Sequence, residues 1–507
     1  MTTFRDSSIV IIETSRTVVR AGLGLYELLR TPTIDIPARV GIRASLAPDS
    51  SVSQTPVNGR PAYRLGDSLD VGGGPSASTS RAPSAMPPSN SGVRVTDYLV
   101  GPQLDEALAA GQDIVVSWPF ADGQIRDWTQ AEALWKYALL TGLGIRRVQN
   151  ESPVLLSIFA GLSREGYERI SQVFFERFNV AAFSMLDRAM AQLYAANALS
   201  GVVVDIGTSR TDVTPVYDGF PVHLARTSVK LGTDACEAFL AHVLRTNTSI
   251  ELTDAADLRA LAQHTWRAGL VRVPTEGEAA RDAEDEGVTD IAAVLVAGKE
   301  KAVIESGMKK RANAKASAAE LARAKEIEAL DLVTTEFRGV EVTLGKERHR
   351  FCEPLFDPGV MAGVEGWVEE NLGDEEATLD MPLQTAVGHA VGLTEAEQRQ
   401  YIWNGLFVTG DVASYVKGIT AGLHSYLLPY VLSNPDQHNE VQARQIRTIK
   451  VPDYFAEFRE KGDGLAAFLG TSIVAKITFH DGKNFTTKAD YAERGPKAVL
   501  EMSPSLF

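Results

Sequence analysis

Cysteine is nearly missing: Cys236 and Cys352 are the only two in 507 residues. Two thiols cannot build a disulfide scaffold, and neither belongs to a CxxC pair that would hold zinc, so the count suits a reducing compartment. Positive charge is also scarce. Lys and Arg number 50 against 65 Asp and Glu, a formal net charge of −15. So acidic a chain is a poor general binder of a phosphate backbone, and no sequence-specific contact with nucleic acid is expected. No uninterrupted apolar run approaches ~18 residues, which excludes a membrane-crossing helix. Met1 to Asp6 lacks the basic-then-apolar pattern of a secretory leader. His223, His264, His349, His389 and His424 form no HExxH and no close pair, so no metal site is expected. What is present is ordinary: 44% of residues are hydrophobic, enough for large buried cores in a mixed α/β protein.

Ser8 to Ile12 is apolar and reads as a buried strand. A polar turn, Glu13 to Thr17, leads to a second apolar stretch, Val18 to Leu25, which predicts a hairpin. Composition then changes. Fourteen of the 22 residues from Val71 to Gly92 are Gly, Pro or Ser. Such a segment buries too little apolar surface to offset its ordering entropy, so residues 47–92 read as an exposed, mostly disordered insertion. Further strands are expected at Asp113 to Val116, Pro153 to Ala160, Val202 to Asp205 and Leu406 to Val408. Helical periodicity covers Trp128 to Leu140, Arg164 to Phe178 and Ala189 to Ala198, and another helix follows Ser414. Glu276 to Gly287, with six acidic residues and one basic, reads as a solvated loop. Lys299 to Leu332 reads as a long exposed helix. The apolar run Ala466 to Val474 reads as a strand. Cys236, within CEAFLAHVL, reads as a small core residue.

Two segments resemble degenerate copies of each other: IVIIETSRT, Ile9 to Thr17, and VVVDIGTSRT, Val202 to Thr211. Each is an apolar strand, an acidic residue and a tight polar turn closed by Ser-Arg-Thr. Such a turn can cradle phosphate on its backbone N–H groups while the acidic residue holds Mg²⁺ through water. Two of them facing across a cleft would grip a nucleotide between two lobes.

With these residues in place, the chain resembles the actin family over most of its length. TVVRAGL (Thr17 to Leu23), WPFADGQIRDW (Trp118 to Trp128), SPVLLS (Ser152 to Ser157) and FERFNVAAFSM (Phe175 to Met185) match in order. So do LYAANALSGVVVDIG (Leu193 to Gly207), TPVYDGFPV (Thr214 to Val222), VTLGKERHRFCEPLFDP (Val342 to Pro358) and the stretch Phe468 to Pro496. The resemblance implies an actin-like two-lobed α/β fold, each lobe a mixed sheet with flanking helices. It implies a first lobe over 1–194, a second over 195–480 with an inserted helical and charged region at 235–334, and a return to the first lobe over 481–507.

The departures from the family pattern bear on function. Actin carries an aspartate and two glycines where Glu13, Ser15 and Thr17 stand, and Arg16 replaces a small serine. Asp205 and Gly207 are kept, but Thr208 and Ser209 replace the aspartate and glycine that follow. Arg188 is collinear with the glutamine that positions the attacking water, and an arginine offers no acceptor for that task. Thr409-Gly410 stands for the double glycine beside the adenine. Asp205, Gly207 and Gly410 are thus the cofactor-binding positions of a vestigial cleft. Arg16 and Arg188 could instead neutralise phosphates in a modified ATP site. No catalytic residue and no obligatory cofactor are expected, with ATP binding left open.

A non-hydrolysing member with an insertion and an acidic loop resembles the nuclear branch of the family, found in SWI/SNF- and RSC-type chromatin remodellers. The start Phe4 to Ile12 and the VPDYFAEFREKG segment, Val451 to Gly462, support this. It implies pairing with a second nuclear actin-related protein, contacts with other remodeller subunits, and docking of the helicase-SANT-associated helix of the remodeller ATPase in an apolar groove. Carried over by position, that groove is lined by Tyr194, Phe220, Ile473, Val474 and Ile477. A cytoskeletal or dynactin-type subunit is the competing reading, and the insertion at 47–92 opposes it. An active ATPase of the sugar-kinase and chaperone group would need clamp glycines and a catalytic carboxylate that are incomplete here.

Overall fold

The computed structural model describes residues 4–25, 29–47, 92–120, 123–247, 250, 252, 254–274, 331–364, 367, 381–431, 443–460, 462–481 and 484–503. The expected insertion, apart from its ends, the acidic loop 276–287 and all but the last two residues of the expected helix 299–332 lie outside these residues.

Sixteen strands form the described framework. They are β1 (Val10–Thr14), β2 (Val18–Leu23), β3 (Ile34–Pro37), β4 (Val40–Arg43), β5 (Leu99–Val100), β6 (Ile114–Ser117), β7 (Pro153–Ile158) and β8 (Ala182–Asp187). There follow β9 (Gly201–Ile206), β10 (Thr211–Tyr217), β11 (Phe220–Pro221), β12 (Thr227–Val229), β13 (Val333–Phe337), β14 (Val340–Leu344), β15 (Leu406–Thr409) and β16 (Thr486–Thr487).

The first lobe carries a six-stranded sheet in the order β16-β8-β7-β1-β2-β3. β1 pairs in parallel with β7 and antiparallel with β2, so the sheet is mixed. The second lobe repeats the plan: β9 pairs antiparallel with β10 and in parallel with β15, while β11 and β12 extend β10. β5-β4-β6 and the hairpin β13-β14 are smaller additions.

The period-2 alternation of a strand explains how the lobes are joined. On β1, Val10 and Ile12 face the core of the first lobe, while Ile11, and Ile9 just before the strand, point the other way. On β9, Val202 and Val204 face the core of the second lobe, and Val203 points away. Ile9, Ile11, Leu155, Val203, Val216 and Phe407 therefore meet in a third core that belongs to both sheets. The cleft helix, Arg188–Ala195, and a buried helix, Ala466–Asp481, fill it.

That second helix corrects the strand expected at Ala466 to Val474. A continuous apolar run fits either a buried strand or a helix buried all round, and here Ala466 to Ser472 are all buried. Two of its three hydroxyls bond back to the preceding turn, Thr471 Oγ1 to the Ala467 carbonyl at 2.6 Å and Ser472 Oγ to that of Phe468 at 2.9 Å. Both groups are thereby satisfied inside the helix, and the segment stays helical. Gly470 permits the close crossing: a Cβ there would sit 1.6 Å from the Ala191 carbonyl oxygen on the cleft helix.

Candidate functional site

Between the lobes lies a cavity of about 240 Å³ lined by both Ser-Arg-Thr turns. Asp205, Gly207 and Gly410 all line it, so the three expected cleft positions are brought together. Gly410 has φ +99°, and a Cβ there would lie 2.2 Å from the Ile206 carbonyl oxygen; the turn after β15 therefore requires glycine.

The sequence reading placed Glu13 in the turn. It is instead part of β1 and 1% exposed, because Thr14 still pairs with Val19. The turn itself is closed by Ser15. Ser15 Oγ accepts from the N–H of Thr17 at 3.3 Å and of Val18 at 2.9 Å, while the Ser15 N–H donates to the Val18 carbonyl at 2.9 Å. Those amides already have partners within the turn.

Arginines occupy the space between the turns. Arg188 bonds with Asp205 of the second lobe and, at 3.2 Å, with Glu13 of the first. Gln192, one turn along the same helix, donates to Asp205 Oδ2 at 3.1 Å. Arg16 bonds with Asp212 on β10. Burial would raise the Asp212 carboxyl, but Arg16, Ser228 and Arg210 outweigh it and hold the group below its ordinary value. Arg20 reaches Glu13 at 3.4 Å, Asp411 at 3.2 Å and the Gly464 carbonyl at 3.3 Å. Burial disfavours the Arg20 charge, yet Glu13, Asp35 and Asp411 together push its pKa above an already high range. A fourth contact runs the other way, Arg226 of the second lobe with Asp187 of the first. Arg20, Asp212, Asp411, Asp187 and Arg226 were not singled out in the sequence; only the charge opposite each one identifies it.

The expected groove residues divide. Ile473 and Ile477 line a second cavity of about 320 Å³, together with Leu29, Tyr454, Phe455, Ala456, Glu457 and Lys476. Tyr454 and Phe455 belong to the PDYF segment, whose rings lie 4.5 Å apart, so that motif forms one wall. Val474 packs against the shared core instead. Tyr194 and Phe220 do not line this cavity. Tyr194 is half-buried at Gly219, where burial and Asp218 raise its hydroxyl pKa, and Phe220 is exposed beyond it.

Among the described residues no group of three or more His, Cys, Asp or Glu could hold a metal ion, and no helix is long and apolar enough to cross a membrane.

The chain was compared with known proteins. It is 24% identical over 552 aligned residues to the "SWI/SNF and RSC complexes subunit arp9" of Schizosaccharomyces pombe, covering 98% of this chain and 99% of that protein. It is 26% identical over 399 residues to "Actin-related protein 7" of Arabidopsis thaliana, covering 78% and 87%. A protein of that name from Oryza sativa subsp. indica is 24% identical over 420 residues, covering 83% and 93%. The family model described as Actin matches residues 5–502. With two linked mixed sheets flanked by helices and a cleft between them, the chain belongs to the actin family.

Proposed function

We propose that this protein is a non-catalytic actin-related subunit of a nuclear chromatin-remodelling complex of the SWI/SNF or RSC kind. The observation that carries the non-catalytic reading is Arg188. It lies between Glu13 and Asp205, where it has no acceptor to orient a water molecule and already supplies both carboxylates with a cation. The internal bonding of Ser15 supports the same conclusion, because backbone N–H groups engaged in the turn are not available to phosphate oxygens. The name of one similar protein, the "SWI/SNF and RSC complexes subunit arp9", supports the remodeller assignment.

In this role the chain works by binding. It pairs with a second nuclear actin-related protein, contacts other remodeller subunits, and takes the helicase-SANT-associated helix of the ATPase along the groove of Ile473 and Ile477. Tyr194, Phe220 and Val474, expected in the groove by position, lie outside this cavity and are not part of the proposed contact. The apolar wall with half-exposed Ile477 and exposed Tyr454 supports this. Ile477→Asp is the informative variant, since 51% of Ile477 is exposed and the fold tolerates a charge there. Affinity purification of the tagged chain from nuclei should recover the remodeller ATPase, and Ile477→Asp should lose it. A buried unpaired carboxylate costs several kcal/mol, on the order of a hundredfold or more in affinity. Recovery of cytoskeletal subunits, or undiminished ATPase with the folded variant, refutes the proposal.

A further inference from the structure

Four ion pairs cross between the lobes: Arg16 with Asp212, Arg188 with Asp205, Arg20 with Asp411, and Arg226 with Asp187. In three of them the arginine belongs to the first lobe or to the start of the cleft helix, and the aspartate to the second lobe. The pairs surround the cavity on several sides. Arg16 and Asp212 join the two turns, Arg188 joins the ends of β1 and β9, Arg20 reaches the turn after β15, and Arg226 closes the far side against the end of β8. We propose that these contacts form a charge latch, which holds the lobes closed with no bound ligand and so fixes the shape in which the protein meets its partners.

The chemistry of the surroundings favours a latch over incidental surface pairing. Exposed pairs contribute little because water and salt compete with them. Here the arginine side chains are 18%, 11%, 7% and 18% exposed, so each guanidinium is largely removed from water, while the carboxylates range from buried Asp187 to part-exposed Asp411. Opening the cleft would separate all four at once and leave Glu13, inside β1, with less compensation. The shared core behind the cleft limits the motion to a hinge, so the pairs act together. The latch does not depend on the remodeller assignment: it is a statement about this chain alone.

Hydrogen exchange at the two turns, residues 14–20 and 205–214, reads the latch. Arg16→Asp sets two carboxylates face to face, and Asp212→Arg sets two guanidinium groups face to face. Each single variant should raise exchange at both turns by about tenfold, and the double variant should bring it back near the parent rate. Unchanged single variants, or a double variant as open as either single, overturn the latch. Should a charge reversal fail to fold, the milder Asp212→Asn decides. It removes one charge of the latch without setting like charges together, so exchange at the turns should rise several-fold while β7 stays protected. Turn exchange equal to the parent's in the folded Asp212→Asn overturns the proposal, and neither outcome bears on which complex the protein joins.

Discussion

At the scale of single residues, Asp212 gives the cleft a defined acid response. Its carboxyl is held below the ordinary value because Arg16 and its neighbours outweigh burial. A carboxylate lowered in the folded state contributes stability above its unfolded value of ~3.9, and loses it as pH falls through the folded value. The stability gap between the parent and Asp212→Asn should therefore be flat from about pH 8 to about pH 5 and close below about pH 4. Urea midpoints at each pH measure it; a gap that persists into stronger acid would place its origin elsewhere. The partners that matter here had no local signature in the sequence. Arg16 and Asp212 are 196 positions apart and Arg20 and Asp411 are 391 apart, separations over which no spacing rule operates. Arg16 stood out only as an intrusion into an otherwise familiar turn, and Arg188 only as a replacement for the water-positioning glutamine. Their orientation toward carboxylates rather than outward is a property of the closed fold.

At the scale of elements, the crossing of the cleft helix and the buried helix is the tightest joint described. Gly470→Ala would drive a methyl group into the Ala191 carbonyl, a backbone atom that cannot rotate away. Overpacking of a close-packed site costs ~1–3 kcal/mol and occasionally more, and a backbone clash should reach the upper end. Equilibrium urea unfolding should show the midpoint falling with little change in slope; a midpoint equal to the parent's would mean the helices can part at no cost. This joint was also where the sequence misled most. Strand and helix are told apart by the period of apolar residues, and a helix surrounded by core has no polar face to mark that period. Strands such as β7 and β9 were legible because the apolar run was short and ended in turn residues. The hairpin was legible too, but its boundary was not, since Glu13 is polar and yet buried by its arginines.

At the scale of the molecule, catalysis would need both lobes to present open phosphate-binding turns at once. On the proposed non-catalytic reading, in which Arg188 and the closed Ser15 turn replace the water-positioning and cradle functions, single-turnover mixing with Mg-ATP should release no product above background. Turnover abolished by Asp205→Asn would refute this. The family itself was legible because many matching segments follow one order along the chain, a pattern that survives loss of the chemistry. The second cavity was half legible: Ile473 and Ile477 were singled out by position, but Tyr454 and Phe455 form its wall from a segment with no counterpart to compare.

The core shared by both sheets has a consequence for how the chain is made. β1 and its neighbour Gly22 leave the ribosome long before Phe468, whose ring covers Gly22. At ~5–20 residues per second, synthesis keeps these faces waiting for roughly half a minute to a minute and a half. Until then the faces of β1 and β7 that meet this helix are covered only in part, by the cleft helix Arg188–Ala195. The shared core is thus completed only when the helix Ala466–Asp481 arrives, and β16 joins the first sheet later still.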